Sequence, residues 1–211
     1  MDWTAMIGLG AYHGINPGMG WLFAVALGMQ ARRASAMWRA LPPLALGHVV
    51  AVGIVVALAA GARVVLPLDL LKVVIAVTLI TLGVYRLWRH RHPRFGGMQV
   101  GFRDLTIWSF LMASAHGAGL MVVPFVIDTE DSVSALAAMH AHHARSAVAS
   151  TAFTDASAVG LHSLSYLLVS ALVAWIVYRK LGVAFLRIAW FNLDWVWAGA
   201  LVITGVLVVL S

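Results

Sequence analysis

Six runs of 20 or more residues, nearly free of charge, constrain this chain more than any other feature; they lie at 3–29, 41–60, 68–88, 105–127, 156–178 and 188–210. About 20 apolar residues are needed to span a hydrocarbon core as a helix. Inside that core only structures that satisfy their own backbone hydrogen bonds persist, so each run is expected to be helical. Composition agrees. Hydrophobic residues make up 62% and charged residues 10%, against about 25% charge in a soluble domain, which leaves too little polar surface to coat a globule in water. The expected fold is an all-α integral membrane protein of six transmembrane helices, and its first partner is the lipid bilayer. The run at 3–29 lacks a basic flank and is too long for a signal peptide, so it is expected as a retained helix.

The charges are distributed as a membrane protein's would be. A net charge of +6 in a soluble protein would suggest nucleic acid. Here eleven of the 14 Lys and Arg residues fall in three short connections: Arg32, Arg33 and Arg39; Arg86, Arg89, Arg91, Arg94 and Arg103; Arg179, Lys180 and Arg187. Clustering of this kind marks the cytoplasmic side. It places both termini outside a bacterial-type cytoplasmic membrane and removes nucleic acid from the expected partners. The absence of cysteine excludes disulfides, thiolate metal sites and dithiol redox chemistry.

Four of the nine histidines lie within the apolar runs, in an order that repeats. The first run carries His13-Gly14 and then Pro17, and the second carries His48. The fourth carries His116-Gly117 and then Pro124, and the fifth carries His162. The third and sixth runs carry none. The chain therefore divides into repeats at 1–103 and 104–211, the second containing a long extracytoplasmic loop at 128–155. Three spans is an odd number, so a duplicated three-helix unit must thread the membrane upside down the second time. Depth supports the idea. At 1.5 Å per residue, His13 and His116 lie about 15 and 16 Å from opposite faces, and His48 and His162 about 10 and 9 Å. Inverted repeats place transporter sites near the midplane, at the repeat interface.

A polar ring in hydrocarbon is costly unless it is paired or faces water. A single imidazole can serve simply by fastening two helices through a backbone carbonyl. Four in a repeated order point to a shared site that binds metal or carries protons. The segment Asn16-Pro17-Gly18-Met19 follows His13 directly. Pro17 removes a backbone donor and clashes with the preceding turn, and a helix broken at membrane depth is tolerated where it lines a cavity. The break is expected to free carbonyls and to offer Asn16 and the Met19 thioether to a cation on a substrate path; a packing kink is the simpler alternative.

His13-x-x-x-Pro17-Gly18, with a histidine near the middle of the next helix, resembles the nickel/cobalt exporter (NicO-type) branch of the lysine-exporter-like transporter superfamily. The resemblance is local to the first two runs. It departs from the family's His-x-x-x-Pro-Gly-His signature at Met19, where the family has its second histidine. It implies six- or seven-helix carriers built of two three-helix repeats, with His13 and His48 on the ion path. The repeat extends that role to His116 and His162.

The expected function is thus secondary transport of a small cation, foremost a divalent transition metal. Imidazole and thioether donors suit nickel, cobalt, zinc or copper better than calcium or magnesium. Two alternatives come from other classes. One is a membrane subunit of a redox or enzyme complex with histidine-ligated haem or metal; the other is a zinc-dependent intramembrane hydrolase. A homo-oligomer or a larger membrane complex is compatible with all three. His140 and His143 in the 128–155 loop would share a helical face and are candidates for extracytoplasmic metal capture. Asp155 is expected to cap the helix that follows, Asp194 to pair with Arg187, and the tryptophans to form an interfacial belt.

Overall fold

The first helix starts where its cap chemistry dictates. The Asp2 carboxylate accepts hydrogen bonds from the Thr4 and Ala5 amides at 3.0 and 3.2 Å, satisfying donors that the helix itself leaves open. In the computed structural model, residues 2–88, 100–126, 144–181 and 193–210 are described. They form α1 (Trp3–Ile15), a 3₁₀ turn (Pro17–Met19), α2 (Trp21–Gln30), α3 (Ala34–Val65) and α4 (Leu68–Trp88). There follow α5 (Phe102–Ala115), α6 (Ala118–Val126), α7 (Ala144–Ile176), which runs into a π turn (Val177–Leu181), and α8 (Leu193–Leu210). The described residues are all-helical in their regular structure and contain no strand. Two helices, Ala34–Ala62 and Ala152–Lys180, are long and apolar enough to cross a membrane, and the bent pair α5–α6 makes a third if it counts as one span.

Among the described residues, two of the six apolar runs are broken, not continuous. The run at 3–29 parts at Pro17–Met19, as the proline and its flanking glycines lead one to expect. The run at 105–127 bends by 59° between Ala115 and Ala118. Its bend is not at Pro124, which lies inside α6, but at His116-Gly117, where Gly117 takes a left-handed φ of +69° that a side chain would resist. The first break begins just beyond Ile15, one residue past the His-Gly pair, and the second includes its pair.

The expectation for Asp155 was wrong. It sits inside α7, which begins at Ala144, because the alanines at 144, 147, 149 and 152 have high helix propensity and carry the helix upstream. Residues 144–155 of the expected loop are therefore helix. His140, His143 and Arg187 lie outside the described residues, as does the side chain of Asp194.

Glycines set the helix packing. α1 lies along α7, α3 along α5 and α4 along α8, and α3 also touches α7. A Cβ at Gly10 would strike the His162 carbonyl, and one at Gly14 would come within 2.7 Å of the Tyr166 carbonyl. A Cβ at Gly47 would strike the Thr106 carbonyl. Between α4 and α8, Gly83 faces the Ala198 carbonyl and Gly205 the Ala76 carbonyl, each 3.0 Å from where a Cβ would stand. Small residues that let backbones approach this closely are the usual device of helix association in lipid, where no hydrophobic drive separates protein from tails. Serines add interhelical bonds: Ser109 Oγ donates to the Leu44 carbonyl at 2.6 Å, and Ser165 Oγ to the Ile7 carbonyl at 2.8 Å.

Candidate functional site

Close approach of α1 to α7 carries His13 to His162. Their ring centroids stand 5.0 Å apart. His48, from the middle of α3, completes a triangle at 5.7 Å from His13 and 5.4 Å from His162. All three residues have 0% relative exposure. Three of the four histidines singled out by sequence thus meet, each delivered by a different helix. The fourth, His116, is the C-cap of α5 and is also buried. Its ring lies against the first break: a Cβ at Gly18 would be 3.9 Å from His116 Cε1 and 3.4 Å from Met112 Cε.

Hydrogen bonding selects the tautomer at the two break histidines. His13 Nδ1 is 2.6 Å from the Leu9 carbonyl, and His116 Nδ1 is 2.8 Å from the Met112 carbonyl, each one helical turn back. A carbonyl only accepts, so Nδ1 carries the proton in both rings. In the neutral imidazole the lone pair is then left on Nε2. Metal-binding histidines are commonly oriented in this way, through a second-shell bond from the ring nitrogen that does not ligate.

The other two rings have no such anchor. Neither nitrogen of His48 has a hydrogen-bond partner among the described residues. His162 lies beside the Met6 carbonyl, but neither of its nitrogens reaches good hydrogen-bonding geometry. Asn16 Nδ2 and Ser163 Oγ are likewise buried without a partner. Leaving a buried polar group unpaired costs about 1–3 kcal/mol, and native proteins keep few of them. Two of them, the rings of His48 and His162, face one another with centroids 5.4 Å apart.

The break itself is less open than its sequence implies. Asn16 Oδ1 accepts from the Gly18 amide at 2.9 Å. The Gly14 carbonyl accepts from Ser170 Oγ, the Ile15 carbonyl from Trp21 Nε1 and the Met19 carbonyl from Tyr166 Oη, at 3.2, 2.9 and 2.7 Å. The carbonyls expected to be freed for a cation are thus largely claimed by side chains. Trp21, expected in an interfacial belt, is 3% exposed and bridges the break instead. Pro17 and Met19 are buried and Gly18 is half-buried. Of the four break residues, Asn16 alone presents an unpaired polar atom, its Nδ2, at the break.

Tyr166 is the residue that sequence reasoning missed. Its ring stacks on His48 with centroids 4.0 Å apart and planes 15° from parallel. It follows His162 by four positions, so the two share a face of α7, and that spacing was the available signal. Among the described residues, no group of three His, Asp or Glu side chains stands ready to hold a metal ion. Imidazoles sharing one tetrahedral ion at ~2.0 Å from each nitrogen have centroids roughly 5 Å apart, which the triangle matches. The planes of His48 and His162 lie 16° from parallel. Comparison with protein-family models, with curated proteins and with solved structures finds no match for this chain.

Proposed function

We propose that this protein is a secondary carrier of a small cation, a divalent transition metal, and that His13, His48 and His162 bind it, with His116 beside them at the first break. The observation that carries the reading is the triangle of fully buried imidazoles from three helices, of which His48 keeps both nitrogens unpaired. Nitrogen donors favour nickel, cobalt, zinc or copper over calcium and magnesium. A closed and rigid set of ligands suits a structural ion, whereas a carrier must release its cargo, and rings not already gathered around one ion serve that need. A proton and a metal ion compete for the same imidazole lone pair, so occupation of the site by one excludes the other.

The carrier reading includes six spans arranged as two inverted repeats, and three features support it. Exchanging the halves turns the α1–α7 contact into the α3–α5 contact and leaves α3–α7 and α4–α8 as they are. Gly83 meets Ala198, Leu201 and Val202, while Gly205 meets Ala76, Leu79 and Ile80; every residue of the first set maps onto the second by one shift of 122 positions. A two-fold axis produces such self-complementary contacts. Finally, both runs with a His-Gly pair are broken near it, the first just beyond Ile15 and the second at His116-Gly117. Paired broken helices flanking a midplane site are a recurring design of carriers, and the likeness of His13-x-x-x-Pro17-Gly18 to the NicO-type signature points the same way.

Proteoliposome uptake tests the reading. With Ni²⁺, Co²⁺ or Zn²⁺ supplied against a proton gradient, the wild type is expected to accumulate at least one of them, and His13→Ala and His48→Ala to lose at least ten-fold in rate. Accumulation indifferent to His13→Ala would remove the basis for this function.

A further inference from the structure

A second polar feature lies away from the histidines. A cavity of about 580 Å³ opens between the end of α2, the start of α3 and the start of α5. Arg33, Arg39 and Gln30 line it together with apolar residues including Leu27, Phe102 and Leu105, and no carboxylate is among its lining residues. Neither arginine has an ion-pair partner among the described residues. The Asp104 carboxylate, beside the cavity, accepts from the Gly101 amide at 3.0 Å and is not a lining residue, so the two guanidinium groups leave the concavity basic.

We infer that this cavity seats the phosphate headgroup of an anionic phospholipid. Guanidinium groups bind phosphate oxygens through paired, charge-assisted hydrogen bonds. The apolar part of the wall suits glycerol and the first acyl carbons, which a free phosphate lacks. Arg33 and Arg39 belong to one of the connections whose charge marks the cytoplasmic side, where anionic lipids concentrate and where basic pockets between membrane helices receive their headgroups. The inference is independent of the carrier reading, since it uses none of the histidines.

Native mass spectrometry of the full-length protein in detergent, with phosphatidylglycerol or phosphatidylcholine added in equal amounts, provides the test. Phosphatidylglycerol is expected to be retained preferentially, and its retention to fall about fivefold for each arginine neutralised in Arg33→Gln and Arg39→Gln. Ala36→Trp fills the cavity without changing charge and is expected to release the lipid while the protein remains folded by circular dichroism. Arg179→Gln, outside the cavity, is expected to retain it. Equal retention of the two lipids, or retention unaffected by both the arginine variants and Ala36→Trp, overturns the inference. So does an arginine-dependent response to inorganic phosphate alone with no lipid retained, which would make the ligand a soluble anion.

Discussion

The phenol ring of Tyr166 lies flat on the His48 imidazole, 4.0 Å between centroids, while its hydroxyl donates to the Met19 carbonyl at 2.7 Å. One side chain therefore touches the ring with no hydrogen bond of its own and also fastens the broken first run to α7. Any displacement of the break is felt at His48 through this contact. Tyr166→Phe keeps the stack and removes the tether. Loss of a buried hydrogen bond costs about 1 kcal/mol, so a modest fall in melting temperature is expected. A larger proportional change in transport rate than in stability is also expected, because the break and the ring become uncoupled. Transport unchanged in a Tyr166→Phe protein of lower stability would show the tether to be structural only.

His48 itself gives the sharpest separation of function from packing. If the imidazole were held for stability, replacing it would destabilise the fold. Because both nitrogens are buried and unpaired, an apolar residue of similar volume relieves a penalty of about 1–3 kcal/mol. His48→Leu is therefore expected to unfold at a higher temperature than the wild type and to transport no metal. A lower melting temperature for His48→Leu would mean that the ring has a structural partner.

The glycine contacts predict where a single methyl group is not tolerated. At Gly10 and Gly47 the added Cβ meets backbone carbonyls, of His162 and of Thr106, and backbone cannot rotate aside as a side chain can. Overpacking of this type costs about 1–3 kcal/mol. Gly10→Ala and Gly47→Ala are expected to melt earlier than Gly53→Ala, which meets open space. Equal melting curves for the three variants would indicate looser helix pairs than described.

If the histidines bind metal as proposed, acidification acts on them through competition. A proton and a metal ion cannot share one imidazole lone pair, so uptake at fixed metal concentration is expected to fall as the external pH is lowered. Vesicles clamped at a series of pH values would show this. Faster uptake at lower external pH would contradict the proposed competition.

The Asp2 cap supplies a second pH response, located away from the site. Its carboxyl is held below the ordinary value of 3.8, first by the Thr4 hydroxyl and then by the Ala5 amide. A depressed value means that the charged form is favoured in the folded state, so the contribution is fully present above pH 3.8 and is lost as pH falls through the folded value. The stability difference between the wild type and Asp2→Ala is therefore expected near neutrality and to vanish in strong acid. A difference that persists there would trace to something other than the carboxylate.

Much of the architecture was written along the chain, because hydrocarbon imposes a simple rule on backbone. The helical content, the break after His13 and the choice of His13, His48 and His162 all followed from local features: apolar length, a proline between glycines, and polar rings where polarity is costly. Local features also misled. Asp155 looked like a cap because a helix was expected to open there, whereas α7 begins at Ala144, and no expectation was attached to the bend at Gly117. Neighbouring residues could not reveal which groups satisfy the broken carbonyls, since Trp21, Tyr166 and Ser170 reach them by turns of chain and by contacts between helices distant in sequence. Nor could they separate His116, set at the break, from the three rings that meet. That partition depends on how closely α1 approaches α7, which Gly10 and Gly14 permit but only the packed helices realise.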